Sequence, residues 1–152
     1  TTDAVVRSPL ATVEYTAASY LDMNWHTLAE PKVEDATAFE NASLAKIGLI
    51  PEIHSRYRSP YFQHIFGPGG GYSAGYYSYL WSEVLDADAF EAFREKGIFD
   101  RTTATSFRKN VLEKGGTEEA MTLYKAFRGR EPSVEPLLVR RGLAPAPQSG
   151  TR

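Results

Sequence analysis

Cysteine is absent from the 152-residue chain, which excludes disulfides, thiolate-bound zinc and a thiol nucleophile among these residues. A basic surplus is missing too, because 17 Lys and Arg residues stand against 19 Asp and Glu residues, for a net charge of −2. A nucleic-acid partner is therefore not expected, since little is available to neutralise a phosphate backbone. No apolar run approaches the roughly 20 residues of a membrane-spanning helix, so no membrane partner is expected either.

Two catalytic signatures are also missing from the sequence. The three histidines, His26, His54 and His64, are never four residues apart, so no His-Glu-x-x-His zinc helix is present and no residue is assigned as a metal ligand. No Gly-x-Ser-x-Gly elbow supports a serine nucleophile. Asp22 lies one helical turn before His26, which favours a structural hydrogen-bonded pair for that histidine.

What the sequence does contain is a succession of helical periodicities with almost no strand-like alternation, which predicts an all-α fold. Residues 1–7 are predicted to be a tail, and the first helix is predicted to begin at Ser8-Pro9, with Ser8 as its cap. Residues 49–71 are predicted to be mostly loop, and the Pro-rich residues 144–152 a disordered tail. The later helices are predicted over residues 35–47, 72–96, 102–114, 117–129 with Thr117 as cap, and 134–141.

Three tyrosines stand out within the predicted helix 72–96. At roughly 100° per residue, Tyr72, Tyr76, Tyr79 and Glu83 would lie within about 60° of one another. Three phenols and one carboxylate would then share a face. Such a face is either a core stripe whose hydroxyls reach solvent or a surface that hydrogen-bonds a ligand.

A glycine-rich run, Gly67-Pro68-Gly69-Gly70-Gly71, precedes these tyrosines. It is not a phosphate-binding P-loop, because no Lys-Ser or Lys-Thr pair follows it. It could be a flexible loop that lets the backbone approach a ligand, or a plain connector.

Several spaced motifs carry a family resemblance that covers most of residues 10–143. They are residues 56–66 (Arg-Tyr-Arg-Ser-Pro-Tyr-Phe-Gln-His-Ile-Phe), residues 70–84 (Gly-Gly-Tyr-Ser-Ala-Gly-Tyr-Tyr-Ser-Tyr-Leu-Trp-Ser-Glu-Val), residues 86–90, residues 127–132 (Phe-Arg-Gly-Arg-Glu-Pro) and residues 137–143. In this order they resemble the C-terminal segment of the thimet oligopeptidase and peptidyl-dipeptidase family of zinc metallopeptidases, in particular its bacterial peptidyl-dipeptidase branch. The stretch Gly67-Pro68-Gly69 departs from the family pattern as an insertion.

The resemblance implies that residues 8–143 are a helical C-terminal part of a larger, mostly helical peptidase. The family's zinc helix lies upstream of the segment that this chain resembles. Zinc is therefore expected in the full-length parent, and none on this chain. Because the zinc helix is absent, the chain is expected to be inactive alone. Because the first residue is Thr1 rather than Met, we expect a processed chain or a piece of a longer one.

The same resemblance implies the partners and the location. Short peptides are the expected substrates, and the missing N-terminal catalytic portion is the expected protein partner. Apolar surface left uncovered by that portion would favour self-association. The family is mostly intracellular, which favours the cytoplasm. The alternative is a non-catalytic helical module that binds peptides or other partners. The sequence does not determine whether the parent releases dipeptides or cuts internally.

The resemblance also implies roles for individual residues. Tyr79 and His64 would contact the scissile peptide and its oxyanion, and Tyr76 would hydrogen-bond the substrate. Tyr72 would shape the substrate-binding cleft together with Gly70 and Gly71. These residue types suit the reaction, because a preorganised donor at a developing negative charge can lower the barrier by about 2.7–4 kcal/mol.

Overall fold

The computed structural model describes residues 2–30 and 32–145, with the backbone alone described for residues 2–8 and 70. Every regular element in these ranges is helical, which confirms the all-α prediction. The chain divides into two compact units, Thr1–Tyr79 and Leu80–Arg152. Within the described ranges, no helix combines the length and the apolarity needed to cross a membrane.

The first helix, α1, runs from Thr2 to His26, so it begins six residues before the predicted start. The predicted cap at Ser8 is wrong, and residues 2–7, predicted to be a tail, have helical backbone. Pro9 lies inside the helix. An interior proline costs one backbone hydrogen bond and crowds the preceding turn, and α1 continues through it, so this proline does not mark the first turn.

The second helix, α2 (Ala36–Lys46), closely follows the prediction over residues 35–47. Asp35 caps it, and its Oδ1 accepts the Thr37 and Ala38 N–H groups at 2.9 and 3.0 Å. After α2, the chain makes a 3₁₀ turn at Ser59–Tyr61, the short helix α3 (Gln63–Phe66) and a second 3₁₀ turn at Pro68–Gly70. The region predicted as mostly loop therefore contains only short helical pieces.

Two neighbouring faces of α1 organise the core of the first unit. Ala17 and Leu21 pack against Leu44 of α2. On the adjoining face, Ala18 packs in a cluster with Phe62, Ile65 and Tyr76. The second cluster brings the segment that follows α3 onto the middle of α1.

The fourth helix, α4 (Ser78–Lys96), begins six residues later than predicted. Residues 72–77 form turns instead, with Ala74 at a φ of 56°. A residue in the left-handed region cannot continue a right-handed helix, and the Ala74 and Tyr76 N–H groups are bound by a side chain of α1 rather than by helical carbonyls.

The second unit contains most of α4, followed by α5 (Arg101–Phe107) with a π-helical extension Arg108–Leu112, α6 (Ala120–Arg128) and α7 (Glu135–Arg140). The predicted cap at Thr117 is wrong. The Thr117 N–H closes a turn on the Lys114 carbonyl at 3.1 Å, and α6 starts after Glu119. Gly129 ends α6 as predicted, at a φ of 77°. Residues 146–152 of the predicted tail lie outside the described residues.

A fully buried carboxylate, that of Asp88 on α4, organises the polar interior of the second unit. It accepts hydrogen bonds from the Tyr124 hydroxyl, from Arg128 Nε at 3.3 Å and from Arg130 at 2.6 Å. Nearby, Val84 and Ala87 of α4 pack against Leu137 of α7.

Candidate active site

Tyr72, Tyr76 and Tyr79 come together in the first unit, although only Tyr79 lies on a helix. The hydroxyl oxygens of Tyr72 and Tyr79 are 2.7 Å apart. The ring of Tyr79 lies 5.6 Å from that of Tyr76 and 5.9 Å from that of Tyr72, measured between centroids. The three residues, with His64, are called the tyrosine cluster below. Their proximity follows from the tight turns of residues 72–77, and the helical face from which we predicted it does not exist before Ser78.

The members of the cluster differ in exposure. Tyr72 is 40% exposed and Tyr79 is 47% exposed, whereas Tyr76 is only 3% exposed. The ring of Tyr76 belongs to the core, as expected if the tyrosines formed a core stripe. Tyr72 and Tyr79 are the two phenols that present a surface to solvent.

Two of the phenols are held in their protonated form. The hydrogen bond to Tyr79 is the main cause that raises the pKa of Tyr72 to about 12, and desolvation adds to it. Burial raises the pKa of Tyr76 to about 12, against a smaller opposing effect of the Arg56 charge. Both hydroxyls therefore stay protonated well into the alkaline range.

His64, on α3, packs against the tyrosines through its ring. The centroid of its ring lies 4.5 Å from that of Tyr57, 5.4 Å from that of Tyr76 and 5.8 Å from that of Tyr72. Its Nδ1 atom is buried and has no hydrogen-bond partner in the part of the chain that the structure describes. A buried polar group left unpaired costs about 1–3 kcal/mol, and such groups often mark functional positions.

The glycine run approaches His64 through its backbone. Gly71 has a φ of 53°, and a Cβ at this position would overlap the His64 carbonyl oxygen. That oxygen accepts the Tyr72 N–H at 3.0 Å, which joins the end of the run to α3. Gly70 closes the 3₁₀ turn just before this contact. The close approach explains why residue 71 is glycine.

Asp22 is the site residue whose importance we did not predict. The expected pair with His26 is confirmed, with 2.8 Å between Asp22 Oδ1 and His26 Nδ1. The same fully buried carboxylate also accepts the Ala74 N–H through Oδ1 and the Tyr76 N–H through Oδ2, both at 2.9 Å. These contacts join residues 52 and 54 positions apart, so no local sequence pattern predicts them.

Tyr15 was also missed, for the same reason. Its hydroxyl donates to the Tyr76 carbonyl at 2.6 Å, and its ring stacks on that of Tyr76 with centroids 4.9 Å apart. Helix α1 thus hydrogen-bonds the backbone of Tyr76 through the side chains of Tyr15 and Asp22, two turns apart.

Glu83 is not available as a free carboxylate on the predicted face. In the second unit its side chain pairs with Arg141. A carboxylate in an ion pair with a largely buried arginine is better explained as a structural group.

The residues present do not fit a zinc site. In the ranges 2–30 and 32–145, no three or more His, Cys, Asp or Glu side chains are placed to hold one metal ion. The chemistry that the tyrosine cluster itself offers is hydrogen-bond donation.

The sequence matches the family model described as Peptidase family M3 over residues 2–143. The chain belongs to this peptidase family. This M3 chain is similar to a dipeptidyl carboxypeptidase of Salmonella typhimurium, with 46% identity over 86% of the chain. It is similar to oligopeptidase A of Escherichia coli, with 50% identity over 67% of the chain, and to a probable cytosolic oligopeptidase A of Arabidopsis thaliana, with 40% identity over 83%.

The M3 chain spans less than a fifth of the length of these relatives. It covers 19% of the dipeptidyl carboxypeptidase, 15% of the bacterial oligopeptidase A and 18% of the plant protein. The chain matches both a relative named dipeptidyl carboxypeptidase and relatives named oligopeptidase A. These names support the family without selecting one of its branches.

Proposed function

We propose that this chain is the C-terminal, substrate-side part of a zinc-dependent oligopeptidase of the peptidyl-dipeptidase type. The observation that carries the proposal is the pair of exposed, hydrogen-bonded phenols, Tyr72 and Tyr79, in an M3 family chain. In the same cluster, the buried Nδ1 of His64 has no hydrogen-bond partner among the described residues. Short peptides are the proposed substrates.

Tyr79 is the proposed donor to the carbonyl oxygen of the scissile peptide. When Tyr72 donates its proton to the Tyr79 oxygen, the proton of Tyr79 is free to be donated to a ligand. Either hydroxyl of the pair can be the donor, and the proposal assigns the donation to Tyr72. A hydroxyl that accepts one hydrogen bond is polarised and becomes a stronger donor in the next.

The remaining members of the cluster have supporting roles in the proposal. His64 would offer its ring to the substrate backbone. Tyr76 would reach the substrate through its hydroxyl alone, because its ring is buried. Gly70 and Gly71 would present an open backbone at the edge of the cleft, where no side chain blocks a peptide.

Zinc would be held by residues outside this chain, in a preceding catalytic portion that acts as its partner. Zinc, when bound, supplies Lewis-acid catalysis to a peptidase. The residues of this chain hold and orient the substrate and stabilise charge on its carbonyl oxygen. We therefore expect the chain alone to show no peptide hydrolysis.

A Tyr79→Phe substitution in the full-length parent enzyme tests the proposal. Removing one oxyanion donor is expected to reduce kcat by about 10²- to 10³-fold, with a smaller change in KM. Tyr77→Phe is the matched control, since Tyr77 is a neighbouring exposed phenol outside the cluster. Steady-state hydrolysis of a short fluorogenic peptide measures both variants.

Unchanged turnover of a folded Tyr79→Phe enzyme would remove the catalytic role. If the isolated chain then still bound peptides by fluorescence anisotropy, a non-catalytic peptide-binding module would be the better description.

A cytoplasmic location is proposed as well. Its support is the name of the plant relative, a probable cytosolic protein. Fractionation of the native host with an antibody to this chain tests it, and recovery in another compartment would refute it.

A further inference from the structure

One side chain, the carboxylate of Asp22, holds the turn that carries the tyrosine cluster. Both of its oxygens are used: Oδ1 accepts the Ala74 N–H and Oδ2 accepts the Tyr76 N–H, each at 2.9 Å. The side chain is fully buried on α1. A buried carboxylate that accepts backbone N–H groups forms strong, charge-assisted hydrogen bonds and leaves these groups little freedom.

The turn needs such an anchor because its backbone is strained. Ala74 has a φ of 56°, the only positive value among the described residues other than glycine. A non-glycine residue in this region persists only when the surrounding structure enforces it. Asp22 binds the N–H of Ala74 itself and that of the residue two positions later, so it spans the strained residue.

Other contacts of the same two segments complete the anchor. His26, one helical turn after Asp22, lies 2.8 Å from Asp22 Oδ1. The Tyr15 hydroxyl donates to the Tyr76 carbonyl at 2.6 Å. Both peptide groups that flank the Tyr76 Cα are therefore tied to α1, one through its N–H and one through its carbonyl.

The geometry points to Asp22 as the positioning residue of the substrate-binding tyrosines, which it aligns through the backbone of residues 74–76 without touching substrate. The inference rests on the proposed function, because it assigns Asp22 to the same reaction. Displacing Tyr76 and Tyr79 by even about 1 Å would reduce turnover on the order of 100-fold.

Asp22→Asn is the informative substitution because it keeps the shape of the side chain. An amide has one oxygen, so one of the two N–H groups would face an NH₂ donor instead of an acceptor. The control is Asp88→Asn, which changes an equally buried aspartate of the second unit whose partners are Tyr124, Arg128 and Arg130.

The experiment measures kcat and KM of both variants in the full-length parent, with kcat normalised to the folded fraction measured by circular dichroism. We expect Asp22→Asn to lower kcat by on the order of 100-fold with less than about a threefold change in KM. Asp88→Asn is expected to lower the unfolding midpoint while leaving the normalised kcat within about twofold. Equal normalised kcat values for the two variants would overturn the inference.

Amide hydrogen exchange of the isolated chain, followed by NMR, provides a readout that does not depend on turnover. In the wild-type chain the Ala74 and Tyr76 amides should exchange slowly. In Asp22→Asn they should lose protection while the amides of α2 keep theirs. Unprotected Ala74 and Tyr76 amides in the wild-type chain would overturn the inference even if Asp22→Asn failed to fold.

The two proposals fail differently. If Tyr79→Phe leaves turnover unchanged, the proposed function fails whatever the exchange data show. If Tyr79→Phe abolishes turnover and a folded Asp22→Asn enzyme matches wild type, only the positioning role of Asp22 fails.

Discussion

At the scale of single residues, the Tyr72–Tyr79 pair links local chemistry to the proposed function. The two hydroxyls are 2.7 Å apart, and this hydrogen bond is the main cause of the raised pKa of Tyr72. Only one of the two hydroxyls can donate within the pair. The hydroxyl that accepts keeps its own proton for a ligand, which makes the roles of the two tyrosines unequal.

Tyr72→Phe should therefore be milder than Tyr79→Phe. It removes the hydrogen bond that polarises Tyr79 but leaves the Tyr79 donor in place, so we expect kcat of the parent enzyme to fall by roughly 2- to 12-fold, the range of one neutral hydrogen bond. Steady-state kinetics measure the effect, with the exposed Tyr61→Phe as control. A loss as large as that of Tyr79→Phe would instead place Tyr72 at the reacting carbonyl.

At the scale of elements, the decisive feature is the turn between α3 and α4. Gly71 passes close to the His64 carbonyl, and a Cβ on Gly75 would lie 2.8 Å from the Tyr72 carbonyl oxygen. Neither position leaves room for a side chain. Tight backbone packing on both sides of Tyr72 holds this phenol beside Tyr79.

Gly71→Ala is predicted to destabilise the chain more than Gly69→Ala. Both glycines have positive φ, 53° and 76°, so both substitutions carry a backbone cost of roughly 1–2 kcal/mol. Only at residue 71 does the new methyl group meet another atom, since nothing lies within 4 Å of a Cβ at residue 69. We expect a further loss of about 1–3 kcal/mol for Gly71→Ala.

Urea unfolding of the two variants of the isolated chain measures this difference. The midpoint and slope give the free energy of unfolding for each variant. Equal losses would mean that residue 71 is not held against His64, and that the turn is looser than its backbone contacts indicate.

At the scale of the whole molecule, the described residues of each unit include one fully buried aspartate with several hydrogen-bond partners. Asp22 binds backbone N–H groups in the first unit, and Asp88 binds Tyr124, Arg128 and Arg130 in the second. Burial acts to raise the pKa of Asp88, but the hydrogen bonds from Tyr124 and Arg130 and the charge of Arg128 outweigh it, and the pKa is lowered below its usual 3.8.

The lowered pKa predicts acid sensitivity of the second unit. A carboxyl group with a lowered folded-state pKa stabilises the fold above its unfolded pKa, here near 3.8, and loses this contribution as the pH falls through the lower folded value. Unfolding midpoints of the isolated chain should therefore drop steeply below about pH 4. Asp88→Asn should lower stability at neutral pH and weaken this pH dependence. Glu95, Asp100 and Glu131, whose pKa values are also lowered, should contribute to the dependence that remains.

Near-ultraviolet circular dichroism during thermal unfolding, repeated across acidic pH, measures this dependence. Glu113→Gln is the control, because its pair with Arg108 is about half exposed and screened by solvent. If the unfolding midpoint of Asp88→Asn fell as steeply with decreasing pH as that of the wild type, other carboxyl groups would be the cause.

Several features could be predicted from the sequence because their causes are local. Helix α2 begins after Asp35 and ends before Gly48, since capping and a left-handed glycine depend on a few adjacent residues. The end of α6 at Gly129 has the same origin. The spaced motifs also identified the peptidase family, because they preserve residue types in order.

Other local signals were overridden by contacts between distant segments. Ser8-Pro9 resembles a helix start, but α1 already runs through it. The periodicity from Tyr72 onward resembles a helix, but Asp22 binds two of the N–H groups that such a helix would need. The periodicity left open whether Tyr76 belongs to a core stripe or to a ligand-binding surface, and packing with Phe62 and Ile65 makes its ring part of the core.

The sequence by itself therefore determined the helical class, several helix ends, the family and which tyrosines to consider. Only the tertiary structure decided how Tyr72 and Tyr79 meet, which phenol is buried and what anchors their turn. The physical reason is distance along the chain. Capping and periodicity act within a few residues, whereas the Asp22 carboxylate acts on a backbone 52 and 54 residues away that only folding brings within 2.9 Å.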